Sequence, residues 1–441
     1  MSTITLKHGD VLEELKQLPD DSVDAIITDP PYNLSFMGKK WDSKGAPKQF
    51  EEWCCAWATE CLRVLRRGGY LLSFGGTRTF HRITSGIEDA GFVIKDCLSW
   101  NYGSGFPKSH NISKAIDKKA GEVRERVPII DIRSGKEKTK DIGKGWKMTS
   151  KEYTTYSDVA ITPDAEKWNG YGTALKPAWE PIILAQKPFK GTIVNNVLTH
   201  GVGGLNIEAC RIGNETIKIS QGDGFGSSNT LYGVGVNPNK GSENKGRFPA
   251  NTIFDEDAGK LLDEQSGNRP SQGGAAFRKE LGGFVPNDTK KEIGYGDKGG
   301  ASRYFYCPKT PKKERTCGGH VENKHPTVKP LKLMEHLIAL VCPNAEAMGR
   351  QPVVLDCFVG SGSTAIAAHR LDFDCIGIDA DEQSLKTARL RLMNDWRLEK
   401  GSNPLLRGFI SKQVIEEEDG GAGFGIFSAN KEAEKGGFNK K

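Results

Sequence analysis

With 441 residues, 37% hydrophobic content and no long apolar run, the chain is sized for two or three globular domains and offers no membrane span. Its net charge is only +6, yet residues 101 to 200 carry 17 Lys and Arg against 11 Asp and Glu, so that stretch accounts for the whole surplus. The ten cysteines form no C-x-x-C pair, and Met1-Ser2-Thr3 leads straight into the first expected strand, so no leader and a reducing, cytoplasmic setting are expected.

In chain order, Ile4 and Leu6 alternate along a strand that ends at His8-Gly9-Asp10, before the helical pattern Val11, Leu12, Leu15, Leu18. Asp10 reads either as a helix N-cap or as an acceptor at a strand end. Val23 to Thr28 is a buried strand that runs directly into Asp29-Pro30-Pro31-Tyr32. Two prolines fix φ and remove two backbone donors, leaving the carbonyls and the Asp29 carboxylate to face a guest that carries N–H groups. Tyr32 adds a flat aromatic face, so the tetrapeptide suits a flipped-out amino-bearing base; an ordinary strand-terminating turn uses the same residues. Cys61 to Tyr70 reads as helix, turn and strand. Phe92 to Trp100 and Pro181 to Ala185 read as strands forming the antiparallel edge of a mixed sheet.

Between and beyond those strands the pattern loosens. Lys136, Lys138, Lys140, Lys144 and Lys147 lie among Gly and Ser, a pattern shared by a flexible loop and a phosphate-contacting one. Residues 191 to 304, rich in Gly, Asn, Lys and Ser, fit extended loops better than a dense core. Cys307, Cys317, His320 and His325 have metal-ligand types at loose spacing, and reduced packing residues are the better reading, so no metal is expected.

Near the far end, Val353 to Cys357 forms a strand, Phe358-Val359-Gly360-Ser361-Gly362-Ser363-Thr364 a tight turn, and Ala365 to Leu371 a small-residue helix. Glycines allow close backbone approach, and the N–H groups of a new helix attract anionic groups. The next strand, from Phe373, ends in Asp379, placed to grip ribose hydroxyls. Gly360, Gly362 and Ala365 also satisfy the dinucleotide fingerprint of an NAD-dependent dehydrogenase. That rival leaves Asp29 to Tyr32 without a job, whereas S-adenosylmethionine, with its nucleoside and its transferable methyl beside an amine acceptor, uses both motifs. Asp10, Asp29, Asp356 and Asp379 all end apolar strands and should line one crevice of an open α/β sheet.

The order Asp29-Pro30-Pro31-Tyr32, then a long insert, then Phe358-Val359-Gly360-Ser361-Gly362 resembles the beta group of amino DNA methyltransferases, which act on adenine N6 or cytosine N4. His325-Pro326-Thr327-Val328-Lys329-Pro330, with the amphipathic helix Leu331, Met334, Leu337, Ile338, Val341, is similar to the family segment beside the methionine end of the cofactor. Gly105 to Asn111 and Lys176 to Pro181 look like members encoded by phages and prophages. Cys357 stands where the family usually has proline, and Asp379 where it often has glutamate, a reach shorter by one methylene.

The resemblance implies a doubly wound, mostly parallel α/β sheet of the S-adenosylmethionine-dependent methyltransferase type, circularly permuted, with a central target-recognition insertion. It implies catalytic parts at residues 1–115 and 305–400, a basic insert at 116–175, a sheet strand within 176–190, a recognition region at 191–304 and a flexible tail at 401–441. The implied catalytic residues are Asp29, Pro30, Pro31 and Tyr32. The implied cofactor-binding residues are Asp10, His325, Thr327, Lys329, Asp356, Phe358, Gly360, Gly362, Ser363, Thr364 and Asp379. The expected activity is methylation of adenine N6 in double-stranded DNA, inside a bacterial or phage-infected cell, with room for a homodimer. Asp at the first motif position favours adenine over cytosine N4, since the cytosine members more often carry Ser there. A catalytically idle DNA-binding module is the alternative from another class.

Overall fold

The computed structural model describes residues 2–34, 42–103, 105, 109–124, 126–128, 139–140, 153–154, 156–219, 242–270, 298–308, 314–323 and 328–395. His325, Thr327, the lysines at 136, 138, 144 and 147, and the expected tail at 401–441 lie outside the described residues. The chain separates into two compact units, Tyr102–Ala178 and the remainder.

The larger unit is built on one eight-stranded sheet. Its strands are β1 (Ile4–His8), β2 (Val23–Thr28), β3 (Leu65–Phe74), β4 (Val93–Asn101), β5 (Trp179–Gln186), β6 (Thr252–Phe254), β7 (Val353–Asp356) and β8 (Asp374–Asp379). They lie side by side as β1-β8-β7-β2-β3-β5-β4-β6. The first five in that order pair in parallel. β5 is antiparallel to both its neighbours, and β6 pairs parallel with β4.

Helices cover both faces of this sheet. Along β2, Ala25 and Ile27 face one layer while Ile26 faces the other, as the two-residue period of a strand requires. The first layer is packed by α4 (Leu331–Val341), α5 (Ser363–Arg370) and α6 (Glu382–Asp395), through Leu337, Ile338, Ile366 and Leu385. The second is packed by α1 (Val11–Lys16), α2 (Pro47–Val64) and α3 (Phe80–Asp89), through Leu15, Trp57 and Ile83. Burial on both sides explains why β2 is apolar except for Asp24 at its start and Thr28 at its end. That carboxylate is fully buried at the start of the strand, where it pairs with Arg66 (3.0 Å) and with both terminal nitrogens of Arg350 and accepts from the Val353 amide (2.8 Å).

Two expectations need correction. β5 is not at an edge: the continuous run Ile182-Ile183-Leu184-Ala185 is buried on both faces, which is the signature of an interior strand. The edge strand β6 comes instead from within residues 191–304. That region also contains the helices Ile193–His200 and Glu256–Ser266 and the hairpin Ile212–Ile219 with Ser242–Arg247, so its described part is more ordered than its composition suggested. The signals were local: Thr192 and Asp255 cap the two helices by accepting from Asn195 and Ala258 amides.

The smaller unit has its own buried centre. Helix Ile112–Lys119 packs on helix Pro163–Lys167, and the buried Asp117 accepts from Arg124 Nε (2.6 Å), the Ile161 and Thr162 amides and the Thr162 hydroxyl. Among the described residues no helix is long and apolar enough to cross a membrane.

Candidate active site

Because β1, β8, β7 and β2 are adjacent and parallel, their carboxyl ends lie together, and a cavity of about 950 Å³ opens there. Asp10, Asp29, Asp356 and Asp379, one from each strand end, all line it. So do Pro30, Pro31, Tyr32, Lys329, Phe358, Gly360, Ser363 and Thr364.

The four acids are held in different ways. Asp10 is a helix cap as well as a wall residue, since one oxygen accepts from the Leu12 amide at 2.9 Å. Asp379 accepts from the Gly360 amide (2.8 Å) and the Asp381 amide (2.8 Å), which ties the glycine turn to the end of β8. Asp356 is almost wholly buried and is engaged by the Thr28 hydroxyl (2.7 Å), the Phe358 amide (3.1 Å) and the Thr364 hydroxyl. No cation is among these donors, and burial pushes its carboxyl up to about 6 despite them.

The turn itself depends on glycine. Gly360 and Gly362 have φ of +52° and +83°, and a Cβ at Gly362 would sit 2.7 Å from Cβ of Ala388 in α6. Behind it lies Arg391, fully buried, donating from Nη1 to the Ser361 carbonyl (2.6 Å) and hydroxyl (3.1 Å) and to the Ser363 hydroxyl (3.3 Å). The Cys357 thiol meets that of Cys61 at 3.4 Å, filling the space on the second-layer side.

Asp29 closes the other end of the cavity within a group of four. Its Oδ1 accepts from the Tyr32 hydroxyl at 2.6 Å and its Oδ2 pairs with Lys329 Nζ at 2.8 Å. Lys329 also pairs with Glu180 Oε2 at 3.0 Å, and that oxygen lies 3.3 Å from the Tyr32 hydroxyl. The lysine is buried against aromatic faces, with Phe74 at 4.6 Å, Tyr32 at 5.7 Å and Trp100 at 5.9 Å from ring centre to Nζ. Burial opposes its charge, but Asp29 and Glu180 outweigh it and raise the ammonium above the usual lysine range. Burial and the same two carboxylates hold the Tyr32 phenol well above its ordinary value, so it stays a neutral hydroxyl. Asp29, expected from its motif to face a guest, already has two donors within the protein.

Three residues at or beside the cavity, Glu180, Trp53 and Asp42, carry no signal in the sequence motifs. Glu180 sits in the segment Lys176 to Pro181 already noted for its resemblance, but only the pairing of β5 beside β3 brings it to Lys329. Trp53 of α2 packs its ring on Phe358 (centroids 5.6 Å apart), and Lys44 lies 4.6 Å over Trp53. Asp42, buried, accepts from the Asn33 and Leu34 amides and fixes the chain after Tyr32. Among the described residues no group of three His, Cys, Asp or Glu is arranged to hold a metal; Cys307 and Cys317 are separate packing residues, and His325 lies outside those residues.

The arrangement is thus an open sheet in which four adjacent parallel strands each end in an acid at one cavity, with a glycine turn at one side and Asp29 at the other. The family model N6_N4_Mtase, described as DNA methylase, matches residues 23–390, and the chain belongs to that family. It is similar to the Type II methyltransferase M.HindIII of Haemophilus influenzae, 26% identical over 238 residues, covering 45% of this chain and 63% of that one. It is also similar to the DNA adenine methyltransferase YhdJ of Escherichia coli, 38% identical over 103 residues, covering 23% of this chain and 34% of that one. In both cases the match spans less than two thirds of the relative's length. Among solved structures it resembles the M1.HpyAVI–SAM complex at 18% identity and a TM-score of 0.37, covering 88% of this chain and all of that one, a superposition too loose to carry an argument.

Proposed function

We propose that this DNA methylase transfers a methyl group from S-adenosylmethionine to the exocyclic N6 of adenine, at a short specific sequence in double-stranded DNA, in the cytoplasm of a bacterial cell. The observation that carries the reading is that Asp29 and the Gly360 turn open into one cavity. Family membership supports the chemistry, and the relative named a DNA adenine methyltransferase supports the base.

The wall residues fit the cofactor. Asp10 and Asp379 are carboxylates at the ends of paired strands, suited to adenine and sugar donors, and the rings of Phe358 and Trp53, tilted 46° to each other, offer apolar wall. A volume of about 950 Å³ accommodates a nucleoside together with an extruded base. When bound, S-adenosylmethionine supplies an electrophilic methyl carried on a sulfonium.

The protein's share is binding and orientation. An exocyclic amine is a poor nucleophile because its lone pair is delocalised into the ring. Asp29 and the Pro30 carbonyl, by accepting both N–H bonds, favour a pyramidal nitrogen whose lone pair points away from them, and near-attack positioning supplies much of the acceleration. Tyr32 lines the cavity, where its ring can meet the face of a base while its hydroxyl is anchored. The nitrogen becomes acidic once methylated, so Asp29 takes the proton afterwards and needs no raised basicity.

Sequence recognition is assigned to residues 191–304. In their described part, the Arg247 and Arg303 guanidiniums lie 5.0 and 4.4 Å from the centre of the Tyr304 ring. Exchanging this segment with that of a relative of different specificity should move the methylated sequence.

The direct test is transfer of a labelled methyl group to duplex DNA, RNA and protein in parallel, followed by nucleoside mass spectrometry. N6-methyladenine in DNA alone is expected. N4-methylcytosine would overturn the base while sparing the mechanism, because either base presents an amine to Asp29; labelled RNA or protein with DNA untouched would overturn the substrate class.

A further inference from the structure

We infer that the proton released from the methylated nitrogen leaves the site along Asp29, the Tyr32 hydroxyl and Glu180, with Lys329 as the shared counter-ion of the two carboxylates. The inference rests on the methyltransferase reading and extends it to residues that reading does not use.

Each turnover must clear one proton. The nitrogen lone pair forms the N–C bond as the C–S bond breaks, the sulfonium becomes a neutral thioether, and the cationic nitrogen then gives a proton to Asp29. A base held against Asp29 covers its cavity side. On its protein side Asp29 touches Lys329 and Tyr32. An ammonium has no acceptor site, so it cannot take a proton, whereas a hydroxyl can accept one proton while giving another. Tyr32 is therefore the outlet: as the Asp29 proton passes to its oxygen over 2.6 Å, its own proton passes to Glu180 Oε2 over 3.3 Å.

Glu180 suits the receiving end. It does not line the cavity, yet 22% of its side chain is exposed, so it releases the proton to water without crossing bound DNA base or cofactor. Lys329 stands 2.8 Å from Asp29 and 3.0 Å from Glu180, so one counter-ion touches both carboxylates at the two ends of the path. The tyrosine, held neutral, passes the proton without storing it. After the hop its hydroxyl hydrogen points at Asp29, the shorter of the two contacts it can donate to, while Lys329 Nζ donates to the same oxygen at 3.3 Å; rotation back toward Glu180 resets the path.

The test compares Glu180→Gln, Glu180→Asp and Tyr32→Phe with the parent, all as full chains checked for thermal unfolding. Steady-state kcat should fall about tenfold or more in Glu180→Gln and Tyr32→Phe, a modest part of the 10²–10⁴ range of proton-transfer catalysis. KM for DNA and cofactor should stay within about twofold, and Glu180→Asp should recover most of the rate. Raising pH or the concentration of a small basic buffer such as formate should restore kcat in the two impaired variants and leave the parent unchanged. Parental kcat in both, a loss confined to KM, or a loss that neither pH nor buffer restores would each overturn the path. An inactive parent would instead overturn the methyltransferase reading itself.

Discussion

Asp24 and Asp29 stand five residues apart, at opposite ends of the same stretch of chain, and the sheet gives them opposite surroundings. Asp24, at the amino end of β2, is fully buried and bound to two arginines and a backbone amide. Asp29, just past the carboxyl end, is bound to one lysine and one hydroxyl and keeps a side open to the cavity. Both are acids next to apolar residues with cationic partners, so neither burial nor ion pairing distinguishes structure from chemistry here. Position along a parallel strand does, because helix-covered sheets close their amino ends and leave crevices at their carboxyl ends.

Substitution at the two positions should separate the two roles. Asp29→Ala is expected to cost about a thousandfold or more in methyl transfer, the scale of losing a group that acts on the reacting atoms, with cofactor affinity retained. Equal turnover in mutant and parent would remove Asp29 from the chemistry. Asp24→Ala should do the reverse, lowering unfolding free energy by about 3 kcal/mol, toward the low end for a broken buried pair because Arg66 and Arg350 are partly exposed, while the folded fraction keeps parental activity. Chemical denaturation followed against specific activity reads both.

The glycine turn offers a finer test of the carboxyl end. Gly362→Val forces a branched side chain into a left-handed backbone and against Ala388, so cofactor affinity measured by calorimetry should fall about tenfold, equivalent to the 1–2 kcal/mol of local strain. Asp379→Ala should weaken binding by a similar factor, through loss of an acceptor and of the two amides it holds.

Asp356 sharpens the comparison through pH. Unlike Asp24 it is buried among neutral donors, and its carboxyl is pushed up to about 6. Its folded value lies above its unfolded one, so its charged form costs stability at neutral pH, and that cost is relieved as pH falls from about 6 toward the ordinary carboxylate range. Asp356→Asn should remove this component of the stability profile. An unchanged slope in the mutant between pH 6 and 4 would assign the titration to another group.

The sequence was most legible where chemistry and strand ends coincide. Asp29-Pro30-Pro31-Tyr32 and the Gly360 turn each follow an apolar run, and the two-residue and helical periods around them suffice to place their acids in one crevice. Glu180 could not be found this way: its partner Lys329 is 149 residues distant, and they meet only because β5 inserts beside β3. The position of β6 was hidden for the same reason, since three residues joining a sheet edge leave no periodic signal. Asp10 shows a different limit, for a cap and a cavity wall call for the same residue at the same place, and here it serves as both.

Whether Asp29, at the carboxyl end of this sheet, directs methyl transfer to adenine in DNA is tested most directly by single-molecule sequencing of DNA from cells expressing the chain beside cells expressing Asp29→Ala. N6-methyladenine at one short sequence in the first and none in the second is the predicted result. Unmodified adenine in both, or equal modification in both, would contradict it.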